Sequence, residues 1–208
     1  LASRPFMDPA AFMITSLPNL LTLSRIFAIP ALIAAFYLDS FVGNWVAFGI
    51  FAFAGITDFF DGYLARIRNE QSVLGQFLDP VADKLLVAAV LMLLVAFQRV
   101  TELSILAAIV ILCREIMVSG LREFLAEIRV GMPVSKLAKW KTTVQILALG
   151  FLLTGVAGDI LLPTGWTHTI GITLLWIAAG LTMYTGYDYL RLGLKHMTDE
   201  PIQNDDKS

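Results

Sequence analysis

Four aspartates on two apolar segments dominate the chemistry open to this chain. Asp58, Asp61, Asp79 and Asp83 stand in the string D-x2-D-G-x2-A-R-x8-G-x3-D-x3-D, with Gly62, Ala65, Arg66 and Gly75 between them. An aspartate within a bilayer costs about 2.5–3.5 kcal/mol on insertion scales. Four on the ends of neighbouring membrane segments need a compensating charge, and a divalent cation held by oxygen ligands supplies one. On a helix of about 100° per residue, positions 58, 61, 62, 65 and 66 fall within an arc of roughly 140°. That stripe offers two carboxylates as ligands and small residues that let a flat ligand approach the backbone. It ends in the planar donor fork of Arg66, suited to phosphate. Asp79 and Asp83, at i and i+4, share a face of the next helix. Pro80 between them suits a first-turn position or a local kink. Hard oxygen ligands without histidine or cysteine nearby favour Mg²⁺ or Mn²⁺ over zinc. A two-ion cluster neutralises a diphosphate, orients it and stabilises a leaving oxygen, and one carboxylate is available as general base toward an incoming hydroxyl. The competing reading is plain ion pairing, Asp83 with Lys84 or Asp61 with Arg66. It does not require the small residues on the same stripe.

A second set of residues is basic. Arg114 and Glu115 interrupt the middle of an apolar segment, and Arg122 and Glu123 lie near its end. Such charges normally face a bundle interior or a wet cavity. Arg114, Val118, Leu121 and Arg122 share one side of a helix, and Lys139 and Lys141 open the next segment. Read as a cluster of Arg and Lys without matching carboxylates, the four cations form a phosphate cradle. The alternatives are positive-inside anchoring for the lysines, and pairing with Glu115 or another carboxylate for Arg114. Asn19, Thr22 and Arg25 recur every third residue along the first segment. They either meet a donor headgroup or hydrogen-bond between helices. Asp188 with Tyr184, Tyr187 and Tyr189 reads as an interfacial aromatic belt. His168 falls in a connecting loop and is assigned no chemistry. Gly49, Gly55, Gly150 and Gly155 read as close helix-packing positions.

The elements that carry these residues are membrane spans. Apolar residues make up 57% of the chain and charged ones 15%, with mean hydropathy +0.74, whereas a soluble domain is about 45–50% apolar and 25% charged. Roughly six spans follow, over 17–38, 41–66, 77–98, 103–125, 138–158 and 166–190, giving an all-α integral membrane protein. Residues 17–193 form one domain, 1–16 a lead-in or short interfacial helix around Asp8 to Met13, and 194–208 a polar tail. The single cysteine, Cys113, excludes an internal disulfide framework and a cysteine zinc site. Lysine and arginine orient the chain. Arg66, Arg68, Arg122, Arg129, Lys136, Lys139, Lys141, Arg191, Lys195 and Lys207 fall on one side, and Arg99 alone falls on the other. Both termini are therefore expected to be cytoplasmic. Phe41 to Thr57 covers about 25 Å of a hydrocarbon layer about 30 Å thick. Asp58 accordingly falls near the cytoplasmic boundary, the level at which Asp79 and Asp83 begin the next span.

The string from Asp58 to Asp83 resembles the signature of the CDP-alcohol phosphatidyltransferases at every specified position. Leu17 to Arg25, Arg114 to Glu123 and Lys139 to Gln145 resemble the bacterial branch that forms phosphatidylglycerophosphate. The resemblance implies a six-helix homodimeric enzyme of the cytoplasmic (inner) membrane. It would move a phosphatidyl group from CDP-diacylglycerol to glycerol 3-phosphate and release CMP. It further implies that Asp58, Asp61 and Asp79 hold two Mg²⁺ or Mn²⁺ ions and that Asp83 completes the cluster or serves as base. Gly62, Ala65, Arg66 and Gly75 would line the cytidine diphosphate site. The basic cradle suits an anionic acceptor better than serine or a neutral alcohol. The expected partners are CDP-diacylglycerol, glycerol 3-phosphate and membrane lipid, not nucleic acid. The rival readings are a sister enzyme using phosphatidylglycerol, serine or inositol phosphate, and a divalent-cation transporter. A transporter usually has a midplane site between repeats, which these boundary-level carboxylates do not match.

Overall fold

The computed structural model describes residues 17–38, 40–68, 73–127 and 136–199, and within them not the side chains at 17–19, 59–77, 127, 136, 192 and 194–199. The elements are α1 (Leu17–Tyr37), α2 (Phe41–Arg68), α3 (Val73–Ala96), α4 (Ser104–Glu127), α5 (Lys136–Thr154), a 3₁₀ turn (Gly155–Ile160) and α6 (Trp166–Asp199). No strand occurs among the described residues. The reason is physical: in lipid every backbone N–H and C=O must be satisfied within its own segment, which long apolar runs achieve as helices. Among the described residues five helices, α1, α2, α4, α5 and α6, are long and apolar enough to cross a membrane. The sixth, α3, concentrates Asp79, Asp83 and Lys84 in one stretch of just over a turn.

The helices pack as two groups. In one, α1 lies against both α2 and α3; in the other, α6 lies against both α4 and α5. Contacts of α2 with α5 and of α3 with α4 join the groups. All six helices feed one apolar core, which includes Leu32, Phe51, Leu94, Ile111, Leu149 and Leu175. Because successive helices run in opposite directions, those residues lie toward one end of the bundle. The other end holds the buried polar side chains Thr22, Arg25, Thr57, Arg114 and Lys141, with a small satellite of Val118, Leu121, Ala138 and Tyr189.

Several expectations shift. α3 begins before residue 77, so Pro80 lies inside the helix rather than in its first turn. α5 stops at Thr154, because Gly155 takes φ +49° and turns the chain into the 3₁₀ segment. α6 runs on to Asp199. A Cβ added at Gly49 or Gly55 would meet nothing within 4 Å, so those two are not close-packing glycines; Gly150, against Phe48, is one. The possible helix around Asp8 to Met13 and the tail beyond Asp199 lie outside the described residues.

Candidate active site

The polar end contains two adjoining constellations. In the first, α1 supplies a buried cation to two acidic helices. Arg25, 1% exposed, donates from Nη1 to Oδ1 of Asp58 on α2, and from Nη2 to Oδ1 of Asp79 on α3 at 3.3 Å. The Thr22 hydroxyl donates to the same Asp79 oxygen. A guanidinium buried to this degree needs charged partners, and the two aspartates provide them. Asp58 and Asp79 nevertheless keep 49% and 46% of their side chains exposed, so each has a face open to a ligand. Of the two readings of the polar edge of α1, Thr22 and Arg25 make the interhelical bonds. Asn19 on the same helix, Asp61, Gly62, Ala65 and Arg66 on α2, and Gly75 on α3 have helical backbone, but their side chains lie outside the described residues.

Asp83, one turn beyond Asp79, connects the two constellations. Its carboxylate feels the charges of Asp58, Glu115, Arg25 and Lys84. Among the described residues no group of three or more His, Cys, Asp or Glu converges closely enough to hold an ion, and Asp61 lies outside that set. The donor chemistry still fits a hard divalent cation. Carboxylates from α2 and α3 meet at one guanidinium, are half open, and have only oxygen to offer.

The second constellation is a cavity of about 770 Å³ between α3, α4 and α5. Its walls bring together Asp83, Arg114, Arg122, Lys139 and Lys141, five residues singled out by the sequence. Arg114 and Lys141 are buried in the wall, while Arg122 and Lys139 are exposed at the rim. The cations are not without carboxylates, contrary to expectation. Lys141 bonds Glu115, whose other oxygen is 3.9 Å from Arg114, and Glu123 also lines the cavity, accepting from Ser119 at 3.4 Å. Glu115 is about 100° from Arg114 around α4, yet both reach the same space because the opening spans from α3 to α5. The signal for it was present: a glutamate beside an arginine within an apolar run. Arg114 also donates to Thr185 Oγ1 at 3.0 Å, and its Nε has no hydrogen-bond partner among the described residues.

Tyr189 departs from the aromatic-belt expectation. It is buried, and the guanidinium carbons of Arg122 and Arg114 lie 5.2 and 5.6 Å from its ring centre. Tyr184 and Tyr187 are exposed, as a belt requires. His168 lies on α6 rather than in a loop, with Nε2 3.0 Å from the carbonyl oxygen of Arg99.

An all-helical membrane protein with open carboxylates beside a basic cavity has the parts of an enzyme that handles phosphorylated substrates. The sequence profile of the CDP-alcohol phosphatidyltransferases matches residues 15–184, and the chain belongs to that family of transferases. It is similar to the CDP-diacylglycerol–glycerol-3-phosphate 3-phosphatidyltransferase of Rickettsia bellii, 46% identical over 181 residues that cover 87% of this chain and 97% of that protein. The enzyme of the same name from Haemophilus influenzae is 40% identical, covering 88% and 96%. That of Cereibacter sphaeroides is 37% identical, covering 89% and 98%.

Proposed function

We propose that this chain transfers the phosphatidyl group of CDP-diacylglycerol to glycerol 3-phosphate, giving phosphatidylglycerophosphate and CMP in phospholipid synthesis. One observation carries the reading: Asp83 stands in the wall of a cavity with Arg114, Arg122, Lys139 and Lys141, on the helix that also presents Asp79. The reacting hydroxyl and the phosphate of one small acceptor can thus be held together. The names of the relatives agree with that acceptor.

The acceptor hydroxyl oxygen attacks the phosphatidyl phosphorus. The bond from that phosphorus to the CMP oxygen breaks, and the hydroxyl proton passes to Asp83 as general base. Arg114 and Lys141 bind the acceptor phosphate from the cavity wall, and Arg122 and Lys139 approach it from the rim. Asp58, Asp61 and Asp79, with Asp83 completing the set, would hold two divalent ions, Mg²⁺ or Mn²⁺. Family members generally use a divalent metal, and bound there it would neutralise the diphosphate and stabilise charge on departing CMP. Arg66, Gly62, Ala65 and Gly75, with Asn19, make the donor side, and Thr22 and Arg25 border it through their bonds to Asp58 and Asp79. Arg25 keeps Asp58 and Asp79 side by side and offsets one of their two charges. The chain would make six spans of the cytoplasmic membrane as a homodimer, with both termini and the cavity on the cytoplasmic side, where a soluble acceptor meets a lipid donor.

The test is CMP release by the purified protein with CDP-diacylglycerol and Mg²⁺, offered glycerol 3-phosphate, serine, inositol phosphate or phosphatidylglycerol. Release with glycerol 3-phosphate alone is the expected result. Release with serine or phosphatidylglycerol but not glycerol 3-phosphate overturns the acceptor assignment.

A further inference from the structure

The two arginines of the cavity are held from behind by α6. Thr185 Oγ1 donates its proton to the carbonyl oxygen of Leu181 at 2.8 Å, which turns a lone pair toward Arg114 Nη2 at 3.0 Å. One turn further on, the Tyr189 ring lies under both guanidinium groups, and its hydroxyl accepts from Arg122 Nη2 at 3.3 Å. Between them Gly186 leaves the space in which the Arg114 stem lies: a Cβ at that position would sit 3.0 Å from Arg114 Cγ. All three residues are buried, and none is among those lining the cavity. They also fall beyond the 15–184 segment that matches the family profile, so membership assigns them no part in the reaction.

We propose that Thr185, Gly186 and Tyr189 are positioning residues for the acceptor. They fix Arg114 and Arg122 in advance, so that the cavity selects a phosphorylated alcohol over an unphosphorylated one. The proposal rests on the cavity being the acceptor site. An arginine has many rotamers to lose when it grips a phosphate, and one already immobilised loses fewer on binding. The strip does this with two neutral acceptor oxygens, one from Thr185 and one from Tyr189, and one aromatic face. None of these cancels the positive charge, as a second carboxylate would, so both cations stay available to an anion.

Steady-state kinetics of the full chain in detergent, with CDP-diacylglycerol and either glycerol 3-phosphate or glycerol, test it. Thr185→Val and Tyr189→Leu should each raise the KM for glycerol 3-phosphate about five- to tenfold, the scale of one bond or ring contact to a cation. The KM for CDP-diacylglycerol should stay unchanged, and the preference for glycerol 3-phosphate over glycerol should narrow. Thr185→Ser keeps the acceptor oxygen and should stay within about twofold of the parent, while Tyr189→Phe keeps the ring but loses the hydroxyl that accepts from Arg122, so its acceptor KM should fall between those of the parent and Tyr189→Leu. In an Arg114→Ala background, Thr185→Val should add nothing, because the group it positions is gone. Should Tyr189→Leu fail to fold, the near-isosteric Thr185→Val carries the test. Donor and acceptor KM rising together would mean a merely structural role and overturn the proposal. So would normal acceptor KM in Thr185→Val and Tyr189→Leu when Arg114→Ala raises it. An Arg114→Ala variant with unchanged acceptor KM would instead overturn the acceptor reading of the cavity itself, and this proposal with it.

Discussion

The two ends of the bundle use arginine in opposite ways. At the end filled by the apolar core, Arg99 is fully committed. Nη2 donates to Asn44 Oδ1, Nη1 donates to the carbonyl oxygens of Leu152 at 3.2 Å and Leu153 at 2.5 Å, and the guanidinium lies 4.8 Å from the Phe36 ring centre. Leu152 and Leu153 close α5, where carbonyls have no intrahelical partner and the helix dipole is negative. Arg99 is therefore a cap that ties α5 to α2. At the other end Arg114, in a cavity wall, bonds one neutral hydroxyl and has its nearest described carboxylate at 3.9 Å. A guanidinium carries five donors. Where the fold occupies them the residue is structure, and where it leaves donors facing a cavity the residue is available to a ligand.

The strongest challenge to that contrast is to remove acidity from the cavity end. Asp58→Asn and Asp79→Asn should each cut CMP release about 10²–10³-fold, the usual loss when a group stabilising transition-state charge is removed. The Mg²⁺ response should be lost and the protein should remain folded in detergent. Asp83→Asn should lower kcat about 10²–10⁴-fold, as for loss of a general base, with donor KM little changed. Normal turnover in any of the three would reduce that aspartate to an ion-pair partner, and a raised donor KM with unchanged kcat would remove the base role from Asp83.

A smaller effect separates the cations themselves. Arg114→Ala should raise the KM for glycerol 3-phosphate about 10- to 100-fold, since hydrogen bonds to charged groups contribute about 1.5–3 kcal/mol. Lys139→Ala should raise it less, because Lys139 stands exposed at the rim, where water screens its charge. Equal effects from the two would mean that burial in the wall does not set the strength of the phosphate contact.

How much of this was legible in the sequence depends on what fixes each feature. The helices could be read because a span needs a long apolar run, and the charge of the turns between runs implied which ends lie together. That is why Arg114, Arg122, Lys139, Lys141 and Asp83 could be grouped from different helices before any geometry. What could not be read is rotation about the helix axis. A lipid-facing side and a core-facing side are both apolar, so the periodicity that betrays the buried face of a soluble helix is weak here. Tyr189 and Thr185 were missed as partners of the arginines for that reason. The pairing of Arg25 with Asp58 and Asp79 was one of two readings that only the packing of α1 on α2 and α3 could separate. Pairing of Arg114 with Glu115 stood among the alternatives, and the error lay in reading the cradle as having no carboxylates.

The same contrast predicts that changes at the core end alter stability and leave catalysis alone. Arg99→Met should leave Asn44 and two carbonyls without their donor. The cost is about 1–3 kcal/mol, and the thermal midpoint should drop by about 2–4 °C for each kcal/mol lost. Both KM values and kcat per folded molecule should hold. If either KM moved severalfold, the two ends would be coupled, and the division into a closed end and a working end would fail.

The smallest effect sharpens the point to one atom. Gly155 has φ +49°, and a Cβ there would lie 3.2 Å from Arg99 Nη1. Gly155→Ala therefore adds two costs. The left-handed backbone disfavours any L side chain by about 1–2 kcal/mol, and the guanidinium must shift by a few tenths of an ångström from the carbonyls it caps. A fall of a few degrees in thermal midpoint is expected, with unchanged kinetics. The two contributions can be separated in an Arg99→Met background, where the crowded nitrogen is absent and only the backbone cost remains. If Gly155→Ala costs as much there as in the parent chain, backbone conformation alone explains the glycine and the cap tolerates the extra carbon. If it costs less, the glycine exists partly to let Arg99 close over the end of α5, and the closed end is built around that arginine.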